Sequence, residues 1–159
     1  MSETVQVVSF KLGSEEYGVD IAQVQEINRM VAVTHVPRAP QFMEGVINLR
    51  GQLIPIIDLR ARFGMPRTEH TKNTRIVVTE VGAKRVGMVV DSVSEVLRLA
   101  TDQIEDAPEM ITGVETEYIR GVGKIEDRLI ILLDLAKIIS GSEKRELESA
   151  EMETAGALA

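Results

Sequence analysis

The chain has 159 residues, enough for one ordinary domain or two small ones. Its 25 acidic residues outnumber 18 basic ones, and the charge of -7 argues against a nucleic-acid binder, which needs a basic face, and against docking on an anionic membrane. Apolar residues make up 44%, with 34 Val and Ile against 3 Phe, 2 Tyr and no Trp, so a core is expected and its β-branched character favours strands.

Met1-Ser2-Glu3-Thr4 lacks the basic and apolar regions of a signal peptide. Val5 to Leu12 reads as a strand with ragged alternation. Gly13-Ser14-Glu15-Glu16 reads as a four-residue turn, and Tyr17 to Ile21 as a second strand. Ile21, Val24, Ile27 and Val31 fit a helix by spacing, but a strand broken near Ala22-Gln23 suits the β-branched content better. Val46 to Ile54 alternates more cleanly: with Ile47 and Leu49 inward, Asn48 and Arg50 share the outward face. Pro55 cannot donate to a ladder and marks an edge or bulge between two short strands. Asp58 and Asp134 are placed to cap short helical turns over Leu59 to Phe63 and Leu135 to Ile139. After Gly141 the composition turns acidic, with five acids against two bases over 142–159, which reads as a helical or flexible tail.

The chain also matches itself. Sliding it by 69 residues lays Val7 to Ile27 on Ile76 to Val96: Gly13 meets Gly82, Gly18 meets Gly87, Val24 meets Val93 and Glu26 meets Glu95. With small gaps, Ala39-Pro40 matches Ala107-Pro108, Gly45-Val46 matches Gly113-Val114, and Arg50-Gly51 matches Arg120-Gly121. Leu53 to Leu59 then matches Leu129 to Leu135. The order never changes, as expected of an internal duplication. A polar joint from Gly64 to Thr74 divides the copies. The expected organisation is residues 1–66, residues 67–141 and the tail 142–159, with the two small units packed together around a crevice.

Catalytic signals are poor. There is no cysteine, which excludes disulfides and thiolate chemistry, and His35 and His70 lack a metal-ligand spacing. No serine sits in a Gly-x-Ser-x-Gly turn, and Gly121-Val122-Gly123 lacks the third glycine of a dinucleotide fingerprint and reads as a bend. No stretch is apolar for long enough to span a bilayer as a helix. Together with a duplicated β-rich fold, these features favour an interaction protein of the cell interior. Glu26 and Arg50 stand out as charges within apolar segments. Two readings stand: a charge-assisted pair that shapes a recognition surface, or two side chains that merely meet solvent.

The run Glu15-Glu16-Tyr17-Gly18-Val19-Asp20-Ile21 with Val24-Gln25-Glu26-Ile27, then Gly45-Val46-Ile47-Asn48-Leu49-Arg50-Gly51 and Ile54-Pro55-Ile56-Ile57-Asp58-Leu59-Arg60, resembles the bacterial chemotaxis coupling family CheW. Val86 to Val93 and Gly121-Val122-Gly123 fit as well, so the resemblance runs from about Val7 to Ile139. It implies a mainly β fold of two SH3-like five-stranded β-barrels with short helices. It implies an adaptor, without enzymatic activity or cofactor, that joins the cytoplasmic tips of transmembrane chemoreceptors to the histidine kinase CheA. The kinase's regulatory domain is similar in fold, so kinase and coupler would associate through paired barrels, with the receptor tip in the groove between barrels. A cytoplasmic location, recruited to receptor arrays without membrane insertion or nucleic acid, follows from the same resemblance. By motif position, Glu26, Asn48, Leu49, Arg50 and Gly51, with Val24 and Gly45 beside them, are the carried-over recognition residues.

Overall fold

Short apolar runs punctuated by turns make eleven strands and two four-residue helices among the described residues. The computed structural model describes residues 3–38, 42–66, 68–81, 83–106 and 118–138. In chain order the elements are β1 (Thr4–Leu12), β2 (Glu15–Asp20), β3 (Val24–Arg29), β4 (Met43–Leu49), β5 (Gln52–Asp58), α1 (Leu59–Arg62), β6 (Arg75–Val81), β7 (Lys84–Val90), β8 (Ser92–Ala100), β9 (Ile104–Glu105), β10 (Ile119–Ile125), β11 (Arg128–Leu133) and α2 (Leu135–Ile138). The tail 142–159, Ile139 and the dipeptides Ala39-Pro40 and Ala107-Pro108 lie outside the described residues.

The strands form a six-stranded sheet, ordered β8-β1-β2-β11-β10-β9, and a five-stranded sheet, ordered β3-β6-β7-β5-β4. Each contains one parallel pairing, Ile130 to Leu132 beside Glu16 to Gly18 in the first and Ile56 to Asp58 beside Gly87 to Val89 in the second. In both, one strand precedes residue 66 and the other follows residue 67. The expected cut at 66/67 therefore separates repeat copies but not sheets, because the two copies exchange their first hairpins. Exchange compensates for size: a copy of about 60 residues buries little alone, whereas hairpins shared between sheets leave the central strands covered on both faces.

Burial follows from that arrangement. Ile131 and Leu133 of β11, Val8 and Phe10 of β1, Ile57 of β5 and Met88 of β7 meet in one core between the sheets. Ile130 and Leu132 face the other way, joining Val7, Leu97 and Leu99. Ile54 and Ile56 likewise join Ile47, Ile76, Val78 and Val89. Strands buried on both faces lose the simple inside–outside alternation; this is why β1 reads as ragged and Ile130 to Leu133 as continuously apolar.

Local geometry departs from the sequence reading at the first turn and at Pro55, and agrees with it after β2, where the expected break near Ala22-Gln23 is found. The first turn is only Gly13-Ser14, since Gly13 at φ 63° lets pairing continue to Leu12 and Glu15. The stretch after β2 is a single 3-10 turn, Ile21–Gln23, held by Asp20 Oδ1 accepting the Ala22 N–H at 2.9 Å, and it leads into a strand, not a helix. Pro55 lies inside one continuous strand between β4 and β7. Its partner across β4, Val46, spends both backbone groups on Thr34, so the proline's missing donor costs no β4–β5 bond. Asp58 caps α1 as expected, accepting the Arg60 N–H at 3.0 Å.

The repeat also aligns differently in its second half. β4 is irregular between Met43 and Gly45, and β10 between Ile119 and Gly121. The Asp58 N–H donates to Phe42 O and the Asp134 N–H to Tyr118 O, at 2.7 and 2.9 Å. Arg50 and Glu126 share left-handed turns at φ 51° and 52°. Gly45 thus corresponds to Gly121 and Arg50 to Glu126, correcting the matches to Gly113 and Arg120; identical dipeptides misled where backbone shape had been retained.

Candidate functional site

The β4–β5 hairpin turns through Arg50 and Gly51, both at positive φ (51° and 84°), a two-residue turn whose twist suits the flanking strands. Asn48 stabilises it, its Oδ1 accepting the Gly51 N–H at 2.9 Å. Left-handed backbone is costly for arginine, and here it directs a side chain that is 69% exposed onto Glu26 of β3. Arg50 Nη1 donates to Glu26 Oε1 at 3.3 Å, and Nη2 donates to Oε2. Asn28, two residues along the same face, donates to Glu26 Oε1 at 2.8 Å. Hydrogen bonding from Arg50, then from Asn28, holds the Glu26 carboxyl below its ordinary value. The two side chains therefore meet as a pair at the surface.

β3 and β4 are the two edges of the five-stranded sheet, so the Arg50–Glu26 pair spans them. The chain beyond β3 supports the same closure, with Thr34 N–H to Val46 O at 2.8 Å and Val46 N–H to Thr34 O at 2.9 Å. This is consistent with the barrel form that the resemblance implies. Arg85 of β7 donates from Nη1 to Gln52 Oε1 next to the turn, and its charge further favours ionised Glu26.

The carried-over residues divide into two groups. Glu26, Asn48, Arg50 and Gly51 come together at the polar turn. Leu49 instead packs on the Ile47–Ile54 cluster, and Val24 packs against the core between the sheets. Gly45 is buried: at φ 151°, a Cβ there would overlap the Thr34 carbonyl oxygen, so its side of the strand is closed to a partner. Sequence reasoning missed Asn28, Gln52 and Arg85. The period-two spacing from Glu26 was the signal for Asn28; Gln52 and Arg85 had none, being joined by long-range pairing. His70 lies 3.4 Å from Glu44, and His35 is exposed.

Cavities border the six-stranded sheet, among them one of about 220 Å³ including Val7, Asp20, Arg120 and Leu132 and one of about 400 Å³ including Glu16, Val122, Arg128 and Leu129. Among the described residues no group of acids and histidines could hold a metal ion, and no helix is long and apolar enough to cross a membrane.

Residues 6–143 match the CheW-like domain. The chain is 46% identical to the chemotaxis protein CheW of Klebsiella aerogenes over 134 residues, 84% of this chain and 81% of that protein. It is 38% identical to the probable chemotaxis protein CheW of Rhizobium etli, over 87% of this chain and 89% of that one. The crystal structure of the scaffolding protein TtCheW from Thermoanaerobacter tengcongensis superposes with a TM-score of 0.81 at 36% identity, covering 90% of this chain and 92% of that one. The chain belongs to the CheW family of chemotaxis scaffold proteins.

Proposed function

We propose that this chain couples the cytoplasmic tips of chemoreceptors to the histidine kinase CheA, as a cytoplasmic adaptor recruited to receptor arrays. The observation that carries the reading is the Arg50–Glu26 pair: a strained, exposed arginine fixed by a carboxylate across two sheet edges is preorganised for recognition. An exposed pair adds little to stability, so folding alone gives no reason to hold it in a left-handed turn. Glu26, Asn48, Arg50 and Gly51 form the recognition surface in this reading, with Leu49, Val24 and Gly45 holding it in shape. Exposed apolar side chains, Ile27 on β3 and its repeat equivalent Val96 on β8, supply contact area for the kinase.

The mechanism is that of a scaffold and involves no bond-making step. A change in receptor geometry reaches the kinase only if the coupler binds two kinase states with different free energies. The test is kinase activity measured with receptor membranes, with and without this protein. Receptor-dependent change in activity, lost with folded Arg50→Ala, is the expected outcome. No ternary complex and no change in activity would sink the reading.

A further inference from the structure

The chain passes between the sheets twice, once after β2 through Ile21–Gln23 and once at Asp91 between β7 and β8. The repeat makes these crossings equivalent, with Ala22 at the position of Asp91. Ala22 offers only a methyl group. Asp91 is tied into both sheets: its N–H donates to Lys11 O at 3.0 Å, and its carboxylate accepts the Gly13 N–H at 2.8 Å. The same carboxylate accepts Arg60 Nε at 2.8 Å and Nη2 at 2.5 Å. Gly13 belongs to the β1–β2 turn of the six-stranded sheet, while Arg60 sits on α1, directly after β5 of the five-stranded sheet. Arg60 Nη1 also donates to Pro66 O at 3.2 Å.

α1 carries a second tie. Arg62 Nε donates to Ile138 O of α2 at 2.8 Å, and its guanidinium lies 5.2 and 4.9 Å from the rings of Phe42 and Tyr118, which are themselves repeat equivalents. The equivalent helix α2 has Ala136 and Ile138 where α1 has Arg60 and Arg62. Both arginine staples therefore lie on one side of a duplicated fold. The apolar core between the sheets holds them together but is non-directional. A bidentate guanidinium–carboxylate bond has a fixed geometry, so the staples define an angle that the core alone does not.

We propose that Arg60 and Asp91, with Arg62 beside them, are positioning residues that set the angle between the two sheets and hence the separation of the partner-binding surfaces those sheets carry. This rests on the coupling function above, because the angle matters when both sheets engage partners at once.

The native chain has no cysteine, so spin labels on Arg29→Cys of β3 and Arg98→Cys of β8, both exposed, report the distance between sheets in the full chain. Asp91→Asn and Arg60→Gln should broaden or shift that distance, with Arg60→Lys, which keeps charge but not the fork, falling between them and wild type. In the same variants, assembly with receptor and kinase together should fall about tenfold while binding of the kinase alone changes less than about twofold, the pattern expected when geometry forbids simultaneous engagement. The exchanged pair, Arg60→Asp with Asp91→Arg, should restore both readouts. Unchanged distances in Asp91→Asn and Arg60→Gln overturn the proposal, as does a shifted distance with undiminished three-way assembly. If the wild-type protein itself forms no three-way assembly, it is the coupling function that fails, and the distances alone decide whether the pair sets the angle.

Discussion

The β4–β5 hairpin and its repeat equivalent β10–β11 share a bulge near the same glycine and a left-handed residue at the same turn position, yet their charges are opposed. Lys124 stands for Asn48, Glu126 for Arg50, Asp127 for Gly51, Arg128 for Gln52 and Arg120 for Glu44. The glutamates they face, Glu26 and Glu95, are equivalent too. Glu26 is met from the turn by an arginine that is 69% exposed. Glu95 is met from within a strand by Arg128 at 2.9 Å, which also holds Glu16 at 2.6 Å, a side chain only 12% exposed. The Arg50 side chain meets one carboxylate from a turn, whereas Arg128 joins Glu16 on the adjacent β2 to Glu95, itself 51% exposed, on β8. Duplication preserved the backbone, which packing constrains, and let charge diverge where water screens its energetic consequences.

That contrast can be broken by mutation. The largest effect is expected at the buried glycines: Gly45→Ala should lose about 3 kcal/mol through clash and strain. Gly121→Ala, whose Cβ would sit 3.0 Å from Glu105 O without left-handed strain, should lose about 1 kcal/mol. Urea unfolding of both variants measures the gap, and equal losses would deny that only the first hairpin is pinned. Next, Arg50→Ala should reduce receptor or kinase capture about tenfold with an unchanged melting temperature, while Glu126→Arg leaves capture as it was. Equal effects at the two turns would erase the functional difference between them. Arg128→Gln should cost about 1 kcal/mol, because Glu16 loses its cation. Arg85→Gln, at the equivalent of Glu16, should show no measurable change in the same melt.

The smallest effect is pH dependence. Hydrogen bonding from Arg60 holds the Asp91 carboxyl below its ordinary 3.8, and that from Arg50 holds Glu26 below 4.5. A depressed folded-state value means that the unfolded chain takes up the proton first. The stabilisation is complete above those ordinary values and is lost as pH falls through them towards the folded-state values. Asp91→Asn should therefore cost most stability at pH 6, and that cost should shrink steadily as pH falls below 3.8, so its unfolding midpoints should approach those of wild type in acid.

The duplication, most strands and the Asp58 cap are legible in the sequence because they rest on local spacing. The Glu26–Arg50 pair is legible as two charges in apolar company, though only the fold decides that they meet. Hairpin exchange is not legible: a strand pattern reports which faces are buried, and the parallel pairing of Glu16 to Gly18 with Ile130 to Leu132 leaves no local trace. Asp91 is equally hidden, since an aspartate at a bend reads as turn chemistry whether or not an arginine from α1 reaches it.

The hairpin exchange has a consequence for how the protein is made. The five-stranded sheet is drawn from an unbroken stretch, residues 24–90, whereas the six-stranded sheet is split around it into residues 4–20 and 92–133. On the ribosome the inner sheet has all its strands while β1 and β2 still lack β8 and β11. The Glu16–Arg128 contact then closes a loop of 112 residues, the kind of long-range closure that slows folding and exposes unpaired edges meanwhile. A nascent chain that stalls before β8 carries a finished inner sheet and an unpartnered leading hairpin, and that hairpin is where chaperone dependence and misassociation should concentrate.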